Sequence, residues 1–98
     1  MVAVKIDLGL AASFDRLPAL VEIGTGFYYL VRNKGRWRLL STLCPHAGGE
    51  VVWREEEREF VCPLHGWRFN GEGRMGPGCS GLRPHRVKEK NGRLLVEL

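Results

Sequence analysis

Two short runs constrain this chain more than any other part of it: Cys44-Pro45-His46-Ala47-Gly48-Gly49 and Cys62-Pro63-Leu64-His65-Gly66-Trp67. As a pattern they read Cys-x-His, fifteen intervening residues, then Cys-x-x-His. Two thiols and two imidazoles in loops bracketed by Gly and Pro form a metal-ligand set. A fold that uses them has to bring the two runs together. The stretch between them offers a means. Val51-Val52-Trp53 and Glu59-Phe60-Val61 have strand composition, with Arg54 to Arg58 as a charged, solvated tip. A hairpin over Glu50–Val61 returns the chain to where it started and lays one loop beside the other.

The rest of the chain also reads as strands. Val2–Ile6 opens it, and Leu8–Leu17 is ambiguous, with a turn before Pro18. Ala19–Ile23 alternates and ends at Gly24-Thr25-Gly26. Phe27–Arg32 and Trp37–Leu43 flank Asn33-Lys34-Gly35, the residues of a tight hairpin turn. Asn70-Gly71-Glu72-Gly73 is a further turn, and Gly76-Pro77-Gly78 opens an irregular loop. Arg86–Glu89 and Arg93–Glu97 pair around Asn91-Gly92. Many short strands at regular spacing predict an all-β fold, a small antiparallel sandwich or barrel. No linker or repeat divides residues 1–98, so one domain is expected, with a metal-binding subdomain over about residues 43–75 formed by the two loops.

Composition narrows the function. The chain is 44% hydrophobic and 27% charged, which suits a globular domain. Its net charge of +4 is spread among acidic residues rather than gathered in a run. That argues against nucleic acid and for acidic protein partners. Three cysteines do not make a fully paired disulfide framework. No apolar run approaches the ~20 residues of a membrane span, and the N-terminus lacks a secretion signal. A cytoplasmic protein with no membrane contact is the expectation, since free thiols stay reduced there.

The ligand set admits two chemistries. Zinc could close a tetrahedral site on Cys44, His46, Cys62 and His65, making a zinc-stabilised binding module. A two-iron cluster could instead take both thiolates on one iron and both imidazoles on the other. Leu43–Arg74 resembles the Rieske domain family: both ligand pairs, both flanking prolines and Gly66 after the second His occur. The resemblance implies one 2Fe–2S cluster, with Cys44 and Cys62 on the inner iron and His46 and His65 on the outer. It also implies that the loop with Pro77 covers the cluster.

Four neighbours depart from the respiratory branch of that family. Gly49 and Leu64 stand where that branch has a disulfide between the loops, and Trp67 and Phe69 where it has hydroxyl donors to the cluster. Fewer donors leave more charge on the cluster and lower its potential. The resemblance is therefore to the low-potential branch: Rieske-type ferredoxins, Rieske domains of ring-hydroxylating oxygenases, and small subunits of nitrite reductases. The implied role is a one-electron carrier, not itself an enzyme, between a flavin-type reductase and a terminal oxygenase or nitrite reductase. A subunit of a nitrite reductase-type complex is the alternative. An oxygenase would need a mononuclear iron on two further His and a carboxylate, and the chain has one spare His.

The remaining notable residues read more plainly. Cys79 is an odd thiol expected to be packed or on the surface, and His85 an ordinary strand histidine. Trp37 and Trp53 suit the core. Trp67 either packs beside its loop or shields and docks. Arg68, Arg74, Arg83 and Arg86 form either a basic rim or a solubilising surface.

Overall fold

Left-handed backbone at two successive positions marks two of the hairpins. Lys34 and Gly35 have φ of 52° and 78°, and Asn91 and Gly92 have φ of 53° and 77°. This is the backbone of a two-residue type I′ turn, whose twist matches that of the strands it joins. The computed structural model describes residues 5–45, 49–64, 66–74 and 81–98. The described residues contain nine strands: β1 (Lys5–Leu10), β2 (Ala19–Ile23), β3 (Gly26–Asn33), β4 (Arg36–Ser41), β5 (Val52–Arg54), β6 (Glu59–Val61), β7 (Arg68–Phe69), β8 (Pro84–Lys90) and β9 (Arg93–Glu97). Every pairing between them is antiparallel. Six strands form a half-barrel in the order β1-β9-β8-β4-β3-β2, and three form a small sheet in the order β5-β6-β7.

The expected all-β, antiparallel class holds, with shifted boundaries. Residues 2–4 of the opening strand lie outside the described residues, and β1 runs from Lys5 to Leu10. The ambiguous stretch resolves into the end of β1 and a 3-10 turn over Ala11–Ser13, where the Ser13 hydroxyl donates to the Leu10 carbonyl at 2.6 Å. The strand expected over Trp37–Leu43 stops at Ser41. Thr42 there turns inward, and its hydroxyl donates to the Phe27 carbonyl at 3.0 Å. Leu43 keeps one isolated bridge, to Glu50. β8 begins at Pro84, earlier than Arg86, and β7 was not anticipated.

β3 and β4 are buried on both faces, which explains the consecutive Leu30-Val31 and Leu39-Leu40. Leu30 and Leu39 face the half-barrel interior with Trp37, Val87, Leu94 and Val96. Val31 and Leu40 face the other way, onto the small sheet, where they meet Val51, Phe60, Phe69 and Leu82. Strands covered on both sides lose the apolar-polar alternation of half-exposed ones. Tyr29 reinforces the second contact. Its ring lies 5.0 Å from that of Phe60, and its hydroxyl accepts the Trp53 backbone N–H at 3.3 Å. The small sheet is thus fastened to the back of β3 and β4, and the cysteine loops are at this junction.

Candidate metal centre

Each loop is shaped by backbone hydrogen bonds that start at its cysteine. The Cys44 N–H donates to the Gly49 carbonyl at 2.7 Å, and the Val51 N–H to the Thr42 carbonyl at 2.7 Å. These bonds fold the first loop back on itself just beyond β4. The Cys62 N–H donates to the Trp67 carbonyl at 2.8 Å, and the Gly66 N–H to the Cys62 carbonyl at 2.8 Å. Gly66 has φ 70°, a conformation that a side chain would strain. This glycine lets the second loop close tightly between β6 and β7. The β5–β6 hairpin lies between the two loops, as its sequence suggests.

Both thiols are buried, Cys44 at 2% and Cys62 at 0% exposure, and they are not joined by a disulfide. They belong to one core cluster with Val31, Leu40, Val51, Phe60, Phe69 and Leu82. The loops touch: a Cβ placed on Gly49 would stand 2.8 Å from Leu64 Cδ1 and 3.5 Å from Cys62 Sγ. His46, His65, Pro77 and Cys79 lie outside the described residues. Among the described residues no three His, Cys, Asp or Glu side chains gather as a metal site. What the structure brings together is the thiol half of the donor set, buried in one apolar cluster on two abutting loops. That half suits an iron–sulfur cluster, which takes thiolate ligands readily.

Around the thiols the surface is apolar. Leu43 is 56% exposed and Leu64 60%, with Pro45, Pro63 and Trp67 also exposed. Phe69, one of the four departures noted in the sequence, is a core residue. It is 1% exposed and paired across β6–β7 with Phe60. Sequence reasoning did not pick out the floor of the site. Leu40 and Leu82 both pack there, and Gly73 and Gly81 pinch the chain on either side of residues 75–80. The Leu82 N–H donates to the Gly73 carbonyl at 2.8 Å, and a Cβ on Gly81 would lie 2.5 Å from that same oxygen.

Of the four arginines read as either a basic rim or a solubilising surface, three have distinct surroundings. Arg68 pairs with Glu59 at 3.7 Å. Arg74 donates its backbone N–H to Asn70 Oδ1 at 3.0 Å. Arg86 stands across from Arg38 in the β4–β8 pairing. His85, on β8, meets the Tyr28 ring edge-on at 5.6 Å. Burial lowers its pKa from the usual 6.5, and the nearby Arg83 lowers it further. Trp37 is core, with its indole N–H donating to Glu89 Oε1 at 3.1 Å. Trp53 is half-buried, its ring tilted 59° to that of Phe60 at 4.7 Å between centroids.

Comparison with known proteins agrees with this architecture. The oxygenase component of a 3-ketosteroid-9-alpha-monooxygenase from Rhodococcus rhodochrous is 33% identical over 91% of this chain. The chain spans only 26% of that relative's length. The cytochrome b6-f complex iron-sulfur subunit of Chlorobaculum tepidum is 30% identical over 80% of this chain and 49% of its own length. The ferredoxin component of the alkene monooxygenase system of Xanthobacter autotrophicus is 29% identical over 76% of this chain and 65% of its own length. Among solved structures, the cyanobacterial plasma membrane Rieske protein from Synechocystis PCC 6803 superposes with a TM-score of 0.73. It covers 95% of this chain and 99% of its own at 24% identity. The ferredoxin of carbazole 1,9a-dioxygenase from Nocardioides aromaticivorans IC177 gives 0.63, covering 94% and 95% of the two chains at 23% identity. These two likenesses establish the fold. The family model for the Rieske 2Fe-2S domain matches residues 11–83, a span that takes in both cysteine loops and the strands that pack against them. On that match, and on two buried thiols carried by abutting loops, the chain belongs to the Rieske 2Fe-2S domain family.

Proposed function

We propose that this chain is a one-electron carrier whose 2Fe–2S cluster is held by Cys44 and Cys62 with His46 and His65. The observation that carries the reading is the convergence of two buried, unpaired thiols from two touching loops. When bound, the cluster supplies a one-electron couple. The chain's own residues do the rest. Val31, Leu40 and Phe60 exclude water from beneath the thiols. Leu43, Leu64 and Trp67 offer an exposed apolar rim that a partner can dehydrate on contact. Gly49 and Leu64 hold the loops together by packing instead of a disulfide, and no hydroxyl stands at Trp67 or Phe69, which favours a low potential.

The partners proposed are a flavin-type reductase as donor and a terminal oxygenase as acceptor. Support comes from the ferredoxin component of the Xanthobacter system among the relatives. A cytoplasmic setting suits the unpaired cysteines. A second reading has a specific observation behind it. The Rhodococcus oxygenase components match 91% of this chain, so the same domain could serve as the electron-accepting part of an oxygenase component.

Absorption and electron paramagnetic resonance spectra test the cofactor. The expected result is a red-brown protein with a rhombic signal on reduction, and loss of both in Cys62→Ser. A colourless protein with stoichiometric zinc, or a full visible spectrum in Cys62→Ser, would overturn the assignment. Leu64→Asp should slow reduction by a flavin reductase while leaving the spectrum intact. An unchanged rate would remove the apolar rim from the docking reading.

A further inference from the structure

We infer that the half-barrel carries a second docking surface, a cationic groove between β4 and β8 that receives an acidic segment of a partner protein. The groove arises from the sheet itself. β8 pairs with β4 only through Pro84–Arg86, then pairs with β9 from Val87 onward. Beyond the Arg38–Arg86 pair the two strands diverge, and a groove of about 650 Å³ opens between them. Arg36, Arg38 and Arg86 line it, with Trp37, His85 and Glu89.

Three arginines line the groove against a single carboxylate, Glu89. Arg38 and Arg86 are directly opposite each other, an arrangement in which like charges destabilise a sheet. Among the described residues, none of the five ion pairs involves Arg36, Arg38, Arg83 or Arg86. The nearby carboxylates have neutral donors instead. Glu89 accepts the Trp37 indole N–H at 3.1 Å, and Glu72 accepts the Asn33 amide at 2.7 Å. Arg32 adds a further cation beside the groove, 5.0 Å over the Trp37 ring. A sheet that keeps a repulsive cross-strand pair, with cations in excess and no ion pair to either arginine among the described residues, is open to neutralisation from outside. An extended chain bearing carboxylates fits, because arginine forks pair with them bidentately.

The location separates this surface from the metal centre. About 10 Å of strand lies between Arg38 and Ser41 on β4, and the cysteine loops begin beyond Ser41, although Pro84 at the near end of the groove pairs with Leu40. A partner held by the groove leaves the apolar rim free. For its purpose the inference rests on the electron-carrier reading: an acidic tether would keep the carrier near one enzyme while its other end exchanges electrons.

The test uses the intact holoprotein and an octaglutamate peptide at low salt. The peptide should bind, and the Arg38→Ser, Arg86→Ser double variant should weaken it about tenfold. The thermal midpoint of that variant should stay the same or rise, because a repulsive pair has been removed. Arg58→Ser, at the far hairpin tip, should leave binding unchanged. The inference is overturned by undiminished binding in the double variant or by an equal loss in Arg58→Ser, which would mean only net charge is read. It is also overturned by a falling midpoint, or by an oligothymidine of equal charge binding as tightly as the peptide. The visible spectrum reports separately on the cluster, so a colourless protein that still binds the peptide sinks only the carrier reading.

Discussion

Gly49 and Leu64 are the contact between the two cysteine loops: Leu64 Cδ1 lies 2.8 Å, and its Cγ 3.0 Å, from where a Cβ on Gly49 would be. No side chain can be added to Gly49 unless Leu64 moves. Leu64 is 60% exposed and can swing outward, so Gly49→Ala should cost little stability, about 1 kcal/mol. The larger effect should be faster bleaching by a chelator, since Leu64 would no longer screen Cys62. Leu64→Ala in the same chain should restore the stability but not the screening. Melting curves and bleaching rates check this. A Gly49→Ala protein that matches the parent in both would remove the contact's role.

Gly81 presents a harder obstacle, because its neighbour is backbone. A Cβ there would lie 2.5 Å from the Gly73 carbonyl oxygen, which also accepts the Leu82 N–H. Gly81→Ala should destabilise the fold by about 3 kcal/mol. Gly71→Ala, where nothing stands within 4 Å of the added atom, should stay within about 0.5 kcal/mol. Urea unfolding of the two variants separates them, and similar midpoints would refute the steric account.

Leu40 ties the two sheets together. It is fully buried against Val31, Phe60 and both cysteines' cluster. Leu40→Ala should cost about 3 kcal/mol and lower the fraction of protein that carries colour. Ala in place of the exposed Leu20 should change neither. Equal behaviour of the two variants would mean that the junction does not support the metal centre.

His85 makes stability depend on pH. Burial, then the Arg83 charge, hold its imidazole below 6.5 in the folded state. The unfolded chain therefore binds the proton more readily, so stability is intact above 6.5 and falls as pH drops through that value. The effect should be a fraction of a kcal/mol, since the ring is only half-buried. The difference in urea midpoint between about pH 7.5 and pH 5.5 should shrink in His85→Gln. An identical difference in the two proteins would exclude His85 as the source.

What the sequence made legible is local. Asn33-Lys34-Gly35 and Asn91-Gly92 announce their turns because few residue pairs tolerate two successive positive φ values. The cysteine loops are legible because a thiol beside Gly and Pro has few structural reasons to be there. The missing parts are non-local. β7 has two residues, too few to alternate. Val31 and Leu40 are core because a sheet arrives from elsewhere in the chain. Arg38 and Arg86 are 48 positions apart in sequence and become neighbours only through the β4–β8 pairing. For the same reason the pairing of Arg68 with Glu59 on the adjoining strand is not legible in the sequence, which leaves Arg68 as either part of a basic rim or a solubilising residue.

Val31 and Leu40 belong to the half-barrel by backbone and to the small sheet by side chain. The metal-binding loops are therefore not a portable cassette. A graft of residues 43–74 onto another scaffold would carry the cysteines and leave behind the wall that keeps them dry. Variation in this chain is correspondingly uneven: outer strands can change without reaching the thiols, whereas a change on the back of β3 or β4 alters both halves together.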